Sequence, residues 1–291
     1  MAVNSSPPPK IVLQRFGAVE DHEVDEVSNI IRSCYTRLAP HEVHLVDLYI
    51  FARSSAVEAF MSEESRRVGV ASSSFDELFF SMHDAWTGIS RIIVCLERMK
   101  RLSTLAQKGG IHHEVGHSVL HGSLRYYIFL VPRALQDLAQ CFKLSRQYVI
   151  NMLYLLSIAV KDYEVSRLLQ EHGFVEDQIA FAKHLLKPTE SDKTAWEISR
   201  KNPHAKALCL TSYMKLIGHA TPFLTVKHSR RRMNRYLKES LAFLPQEYAS
   251  KILGETPQIF QQLKLDTLSN VDTFTRLIIE RIMQPLYEDE V

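Results

Sequence analysis

Cysteine is scarce in this chain of 291 residues: Cys34, Cys95, Cys141 and Cys209 lie far apart and form no CxxC pair. That spacing excludes a compact disulfide scaffold or a cysteine-ligated zinc module, and the four read as reduced thiols of a cytosolic protein. Net charge is almost missing too. The 35 basic and 33 acidic residues leave +2, which argues against nucleic acid or an anionic membrane as the main partner. Long apolar runs are absent. The most apolar stretches, residues 127–131 and 148–160, end at Pro132 and Lys161, short of the roughly 20 residues that a membrane-spanning helix needs. Residues 1–10 hold Ser5, Ser6 and Pro7-Pro8-Pro9 where an export signal would be apolar, so a disordered lead and a cytoplasmic protein are expected. Walker A, Rossmann and nucleophile-elbow sequences do not occur. A hydrophobic content of 46% is nevertheless ample for a real core.

One stretch carries chemistry. His113-Glu114-Val115-Gly116-His117 spells HExxH. Four residues advance an α-helix by about 400°, so His113 and His117 leave one face a turn apart, where they can share a metal. Glu114 flanks the pair, placed for a carboxylate that takes a proton from a metal-bound water. Ile111, Val115, Gly116, Ser118 and Val119 are all uncharged, as a helix packed inside a domain requires. The competing reading makes His113 and His117 ordinary polar residues of a surface helix, which suits so apolar a setting poorly.

Through these nine residues the chain resembles the zincin metallopeptidases, whose extended pattern wants an uncharged residue at Ile111 and an apolar one at Val119. The resemblance implies bound Zn²⁺, a mixed sheet ahead of the metal helix, and an edge strand over the metal that pairs with an extended peptide. Residues 91–96 are the candidate edge strand, with an interior strand as the alternative. Catalytic zinc usually takes three protein ligands. The metzincin extension is not present, because Leu120 and Ser123 stand where its Gly and His would be. His121 follows His117 by four residues. Three histidines on successive turns spread along about 12 Å of axis and cannot all reach one ion in an unbroken helix, so a supporting role is favoured for His121.

The gluzincin arrangement, with a Glu from a later helix, leads to Asp162-Tyr163-Glu164. These acids interrupt an otherwise apolar helix, where a carboxylate is expensive to bury unless it is paired or binds a metal. Glu164, oriented by Arg167, is the expected third ligand and Asp162 its main substitute. A Glu164–Arg167 surface pair is the plain alternative. At this point the chain resembles the small cytosolic gluzincins over about residues 43–173, departing where Leu168 replaces the acid of the better known members.

Apolar spacing predicts a helix over residues 20–38, a buried strand over 43–51, and further strands at 68–71 and 89–96, with 76–80 ambiguous. A short helix over 102–108 is expected to end at Gly109-Gly110, just before the HExxH helix. Beyond Gly122 the pattern is helical: 124–140, 145–171 with Gly173 as its cap, 176–186, and several helices from 194 onward. Residues 187–192 are the linker candidate. The expected fold is therefore α+β and mainly helical, with a zincin-like core over 11–188 and a helical extension over 189–291. Lys227, His228, Arg230-Arg231-Arg232 and Arg235 read first as a solvated basic face, with an acidic partner as the alternative.

These residues predict a zinc-dependent metallopeptidase acting on a peptide or protein. His113, His117 and Glu164 would hold Zn²⁺, and Glu114 would be general base and then general acid. Tyr126, Tyr127, Tyr163, His219 and His228 are candidates for stabilising the oxyanion. The rival is a non-hydrolytic zincin-like module that binds a regulatory partner.

Overall fold

The structure, a computed structural model, describes residues 7–68 and 78–288. In chain order the elements are β1 (Lys10–Phe16), α1 (Asp21–Leu38), β2 (Leu45–Phe51), α2 (Ser54–Val68), β3 (Ser81–Asp84), β4 (Ser90–Cys95), α3 (Leu96–Met99) and α4 (Thr104–His121). A 3₁₀ turn at Leu124–Tyr126 precedes α5 (Arg133–Cys141), α6 (Arg146–Glu171), α7 (Glu176–Leu185), α8 (Glu190–Ser199), α9 (Pro203–Ser212) and α10 (Met214–Thr225). The chain ends in α11 (Arg230–Ser240), α12 (Gln246–Phe260), α13 (Thr267–Ile278), a π-helical turn (Ile279–Met283) and α14 (Gln284–Glu288). The protein is thus mainly helical with one small mixed sheet. Among the described residues no helix is long and apolar enough to cross a membrane.

The chain divides into two compact units: residues up to Tyr127 together with Leu168–His184, and Ile128–Arg167 together with everything from Leu185. The expected domains were cut once, near 188. The chain instead crosses between the units three times, and most of α6 belongs with the carboxy-terminal helices.

In the first unit the strand order is β1-β2-β4-β3, with β1, β2 and β4 parallel and β3 antiparallel to β4. Every residue of β4 is buried, as expected of a strand flanked on both sides. Residues 91–96 were the candidate edge strand, and that reading is corrected. β4 is interior, and β3 is the outermost strand on that side among the described residues. Phe51, Val57, Met61, Ile93 and Cys95 form the core between the sheet and α2, with Phe16 stacked on Phe51 at 4.1 Å. By the alternation of a strand, Ile92 and Val94 face the other way, the side on which α4 packs against β3 and β4. Across the β3–β4 register, buried Arg91 donates to Asp84 at 2.9 and 3.1 Å, and to Glu64 of α2 at 2.6 Å. This bridge pins the short β3 in place.

Several boundaries differ from the expectations. β1 begins at Lys10, the last residue of the expected lead. Val68 closes α2, and the rest of the expected strand at 68–71 lies outside the described residues, as do 76 and 77 of the ambiguous stretch 76–80, whose residues 78–80 form no helix or strand. The helix expected over 124–140 starts only at Arg133, because Pro132 fixes an extended residue as its cap. The linker candidate at 187–192 overlaps α8. There Thr189 accepts from the backbone of Asp192 and the Asp192 carboxylate accepts from Thr189, a capping box that starts the helix at Glu190. Gly173 does cap α6, with φ +76° and a Phe174 N–H to Leu169 carbonyl bond.

The second unit is wholly helical among its described residues. Gly218 lets α10 approach α6, since a Cβ there would stand 2.8 Å from the Ala159 carbonyl. Tyr163, Phe260 and Phe274 stack in sequence at 4.8 and 4.5 Å.

Gly109-Gly110 does not break the chain. Both glycines lie inside α4, which Ser103 caps by accepting from Ala106 N–H at 3.3 Å. They are points of close approach. A Cβ on Gly109 would meet the Asp177 carbonyl of α7 at 2.3 Å, and one on Gly110 would meet the Phe80 ring at 2.3 Å. Gly109→Ala should therefore cost at least about 1–3 kcal/mol by forcing α7 away from α4. Gly254→Ala meets nothing within 4 Å in the middle of α12 and should stabilise by about 0.5–1 kcal/mol. Urea unfolding midpoints of the two variants should move in opposite directions, and equal midpoints would refute the packing argument.

Candidate metal centre

The first unit by itself brings most of the candidate residues together. α4 continues without a break to His121, so His113, His117 and His121 rise one turn at a time, each rotated about 40° from the last, with Glu114 beside them. His113, Glu114 and His121 are buried, at 5%, 4% and 0% exposure, and His117 is the half-buried member. The surface-helix reading of the histidines does not describe this site.

The ring nitrogens converge. His113 Nε2 and His117 Nε2 stand 3.1 Å apart, and His117 Nδ1 stands 3.2 Å from His121 Nδ1. Two nitrogens bound to one zinc at about 2.0–2.1 Å with a tetrahedral angle would be about 3.3 Å apart. The His113–His117 pair thus fits a shared zinc with little adjustment. His121 faces the other nitrogen of His117, where it cannot share that ion but can hold the ring. Tyr126 packs edge-on against His121, with centroids 5.3 Å apart.

β3 supplies residues that the sequence reading missed. Ser81 and His83 alternate with Met82, so they share the face turned toward α4. Ser81 Oγ donates to Glu114 Oε1 at 3.3 Å, and the His83 ring lies parallel to that of His117, with centroids 6.0 Å apart. His83 is held by Ser90 Oγ at 2.6 Å from Nε2 and by the Tyr127 hydroxyl at 3.2 Å from Nδ1. Burial, reinforced by the charges of Asp84 and Glu114, keeps the Tyr127 phenol well above its ordinary pKa. Tyr127 therefore remains an O–H donor at neutral pH.

The back of α4 is fixed by polar contacts as well. His112 Nδ1 and Asp177 Oδ2 are 2.6 Å apart, Gln178 donates to the Gly109 carbonyl at 2.7 Å, and the Tyr35 hydroxyl of α1 bonds the Ser118 hydroxyl. Phe181 of α7 lies against the His113 ring at 5.8 Å.

Glu164 and Asp162 belong to the part of α6 in the second unit. Glu164 is committed there. Its Oε1 accepts from Asn270 Nδ2 at 2.5 Å and its Oε2 from Thr267 Oγ1 at 2.8 Å, which tie the start of α13 to α6. Burial pushes its pKa up, against the lowering effect of these bonds and of Arg167. Both oxygens of the expected third ligand thus serve α13. Arg167 does not orient it through a hydrogen bond. The guanidinium donates to the carbonyls of Leu263 and Lys264 at 3.2 and 2.7 Å. Asp162, the substitute, is half-buried.

The other candidates disperse. Tyr163 belongs to the aromatic stack, and His219 Nδ1 is 3.1 Å from Ser166 Oγ within the second unit. His228 is exposed. Lys227, Arg230, Arg231, Asn234, Arg235, Lys238 and Glu239 line an open groove of about 530 Å³ along the solvated face of α11.

No protein family model matches the chain, and neither a curated protein nor a solved structure does. The site is therefore read from its own geometry.

The His112–Asp177 contact supports α4 from the side opposite the converging nitrogens. Asp177→Ala removes a buried partner and should cost about 1–3 kcal/mol of stability. Urea denaturation of Asp177→Ala beside the wild type measures the loss, and an unchanged midpoint would refute the buried partnership.

Proposed function

We propose that this protein is a zinc-dependent metallopeptidase of zincin-like fold. The observation that carries the reading is the 3.1 Å approach of His113 Nε2 to His117 Nε2 with the buried Glu114 beside them. His113 and His117 would hold zinc with one carboxylate. Two imidazoles with a carboxylate make a donor set suited to zinc, and Glu164 is engaged by Thr267 and Asn270 within its own unit. Bound there, zinc would supply a Lewis acid and lower the pKa of a water toward about 7.

The remaining work falls to residues of this chain. Glu114 accepts the proton of the attacking water and later returns it to the leaving amine. Ser81, bonded to Oε1, sets the angle at which Glu114 does so. Tyr127 stays protonated and can donate to an oxyanion, while His83 fixes its position. β3 is outermost in the sheet among the described residues and offers its backbone to an extended peptide, which supports a peptide or protein substrate.

One observation favours a second reading. Three neutral imidazoles can close both short nitrogen contacts with ordinary hydrogen bonds, His113 to His117 and His117 to His121, so a metal-free structural ladder satisfies the same distances. Metal content separates the two. Purified protein should hold about one zinc per chain, lost in His113→Ala and in His117→Ala. Zinc-free wild type would establish the ladder.

The base is tested separately. Glu114→Gln keeps side-chain volume but cannot accept a proton, so it should bind zinc normally and lose peptide hydrolysis at least about a hundredfold. A fluorogenic peptide library read at equal zinc occupancy makes the comparison. Equal rates would exclude Glu114 as the base.

A further inference from the structure

The middle histidine of the ladder has both ring nitrogens assigned by geometry: Nε2 turns to His113 and Nδ1 to His121. Resting on the zinc reading above, we infer that His121 is a positioning residue that fixes the tautomer and the ring angle of His117. When His117 gives Nε2 to the metal, its one proton must sit on Nδ1. That N–H points at His121 Nδ1, 3.2 Å away, which must then be the unprotonated nitrogen, with the proton of His121 on Nε2. The position of His121 is itself set. It is fully buried on the last turn of α4, directly ahead of the Gly122 cap, and Tyr126 packs edge-on against its ring.

The arrangement has a chemical consequence. Metal-bound histidines commonly donate their second N–H to a carboxylate, which adds negative charge and makes the ligand more basic. A neutral imidazole in that place orients the ring without adding charge. It is also economical in a buried site, where an uncompensated carboxylate would be costly. The same helix thus supplies two ligands, the base and the residue that aligns one ligand, at positions 113, 114, 117 and 121.

The test is zinc affinity of the full-length protein, measured by competition with a chromophoric chelator at fixed pH. His121→Leu fills the space without an acceptor and should weaken zinc about 10- to 100-fold, the range for loss of such a partner. His121→Asn places Oδ1 close to the position of Nδ1 and should restore most of that loss. His113→Ala marks the loss of a true ligand. Wild-type affinity in His121→Leu would overturn the inference, as would equal weakening in the Leu and Asn variants. A loss in His121→Leu as complete as in His113→Ala would make His121 a ligand and overturn it too. Full zinc retention by His113→Ala would overturn the metal reading itself, a result distinct from the others. Should His121→Leu not fold, the ¹⁵N spectrum of histidine-labelled, zinc-loaded wild type decides. It should show His117 protonated at Nδ1 and His121 at Nε2, and any other tautomer pair refutes the assignment.

Discussion

The close approach of α7 to α4 at Gly109 and Gly110 is the constraint on which the rest of the first unit depends. With the Asp177 carbonyl where a Cβ of residue 109 would be, α7 comes near enough for His112 to reach Asp177 and for Gln178 to reach the Gly109 carbonyl. On another side, Tyr35 of α1 bonds Ser118. Contacts at 109, 112 and 118 fix the roll of α4 about its axis. A roll of one residue, about 100°, would carry Glu114 and His117 away from β3. Two residues of poor helix propensity are thus kept in the helix because their missing side chains admit the partner that orients it.

What could be read in the sequence follows from how local each signal is. HExxH needs only helical geometry, and the structure brings the two imidazoles together as that geometry predicts. The helix over 20–38 and the Gly173 cap were equally legible, since an apolar stripe and a positive φ are local matters. β3 was not legible. Ser81-Met82-His83-Asp84 is four residues long and polar at three of them, and it is held as a strand by pairing with β4 and by the Arg91 bridge. Gly109-Gly110 misled for a related reason: glycine signals a break along the chain and a close contact across it with the same letter. His83 and Ser81 matter through residues far from them in sequence, and no spacing rule reaches that distance.

The sheet edge and the helix meet with unequal repeats. Alternate residues of a strand are separated by about 6.8 Å, whereas positions three apart on a helix rise only about 4.5 Å. Ser81 is set at bonding distance from Glu114, while the ring of His83 runs parallel to that of His117 with centroids 6.0 Å apart. His83 is bonded to Ser90 and Tyr127. Those two contacts hold it in the wall of the site, beside the nitrogens that converge on α4.

Two glutamates of this chain show why burial alone does not reveal function. Glu114 and Glu164 are each 4% exposed, both lie on helices among apolar neighbours, and from the sequence both qualified as site residues. Their partners separate them. Glu164 has a donor on each oxygen, Asn270 on one and Thr267 on the other, so its lone pairs are spent on joining α6 to α13. Donors on both oxygens hold the carboxylate in place within the second unit, although burial still pushes its pKa up. Glu114 is met by a hydroxyl at Oε1, a partner that can rotate and either give or accept, and it adjoins two imidazoles whose Nε2 atoms converge. The same residue type at the same burial therefore joins two helices at position 164 and borders the converging imidazoles at position 114.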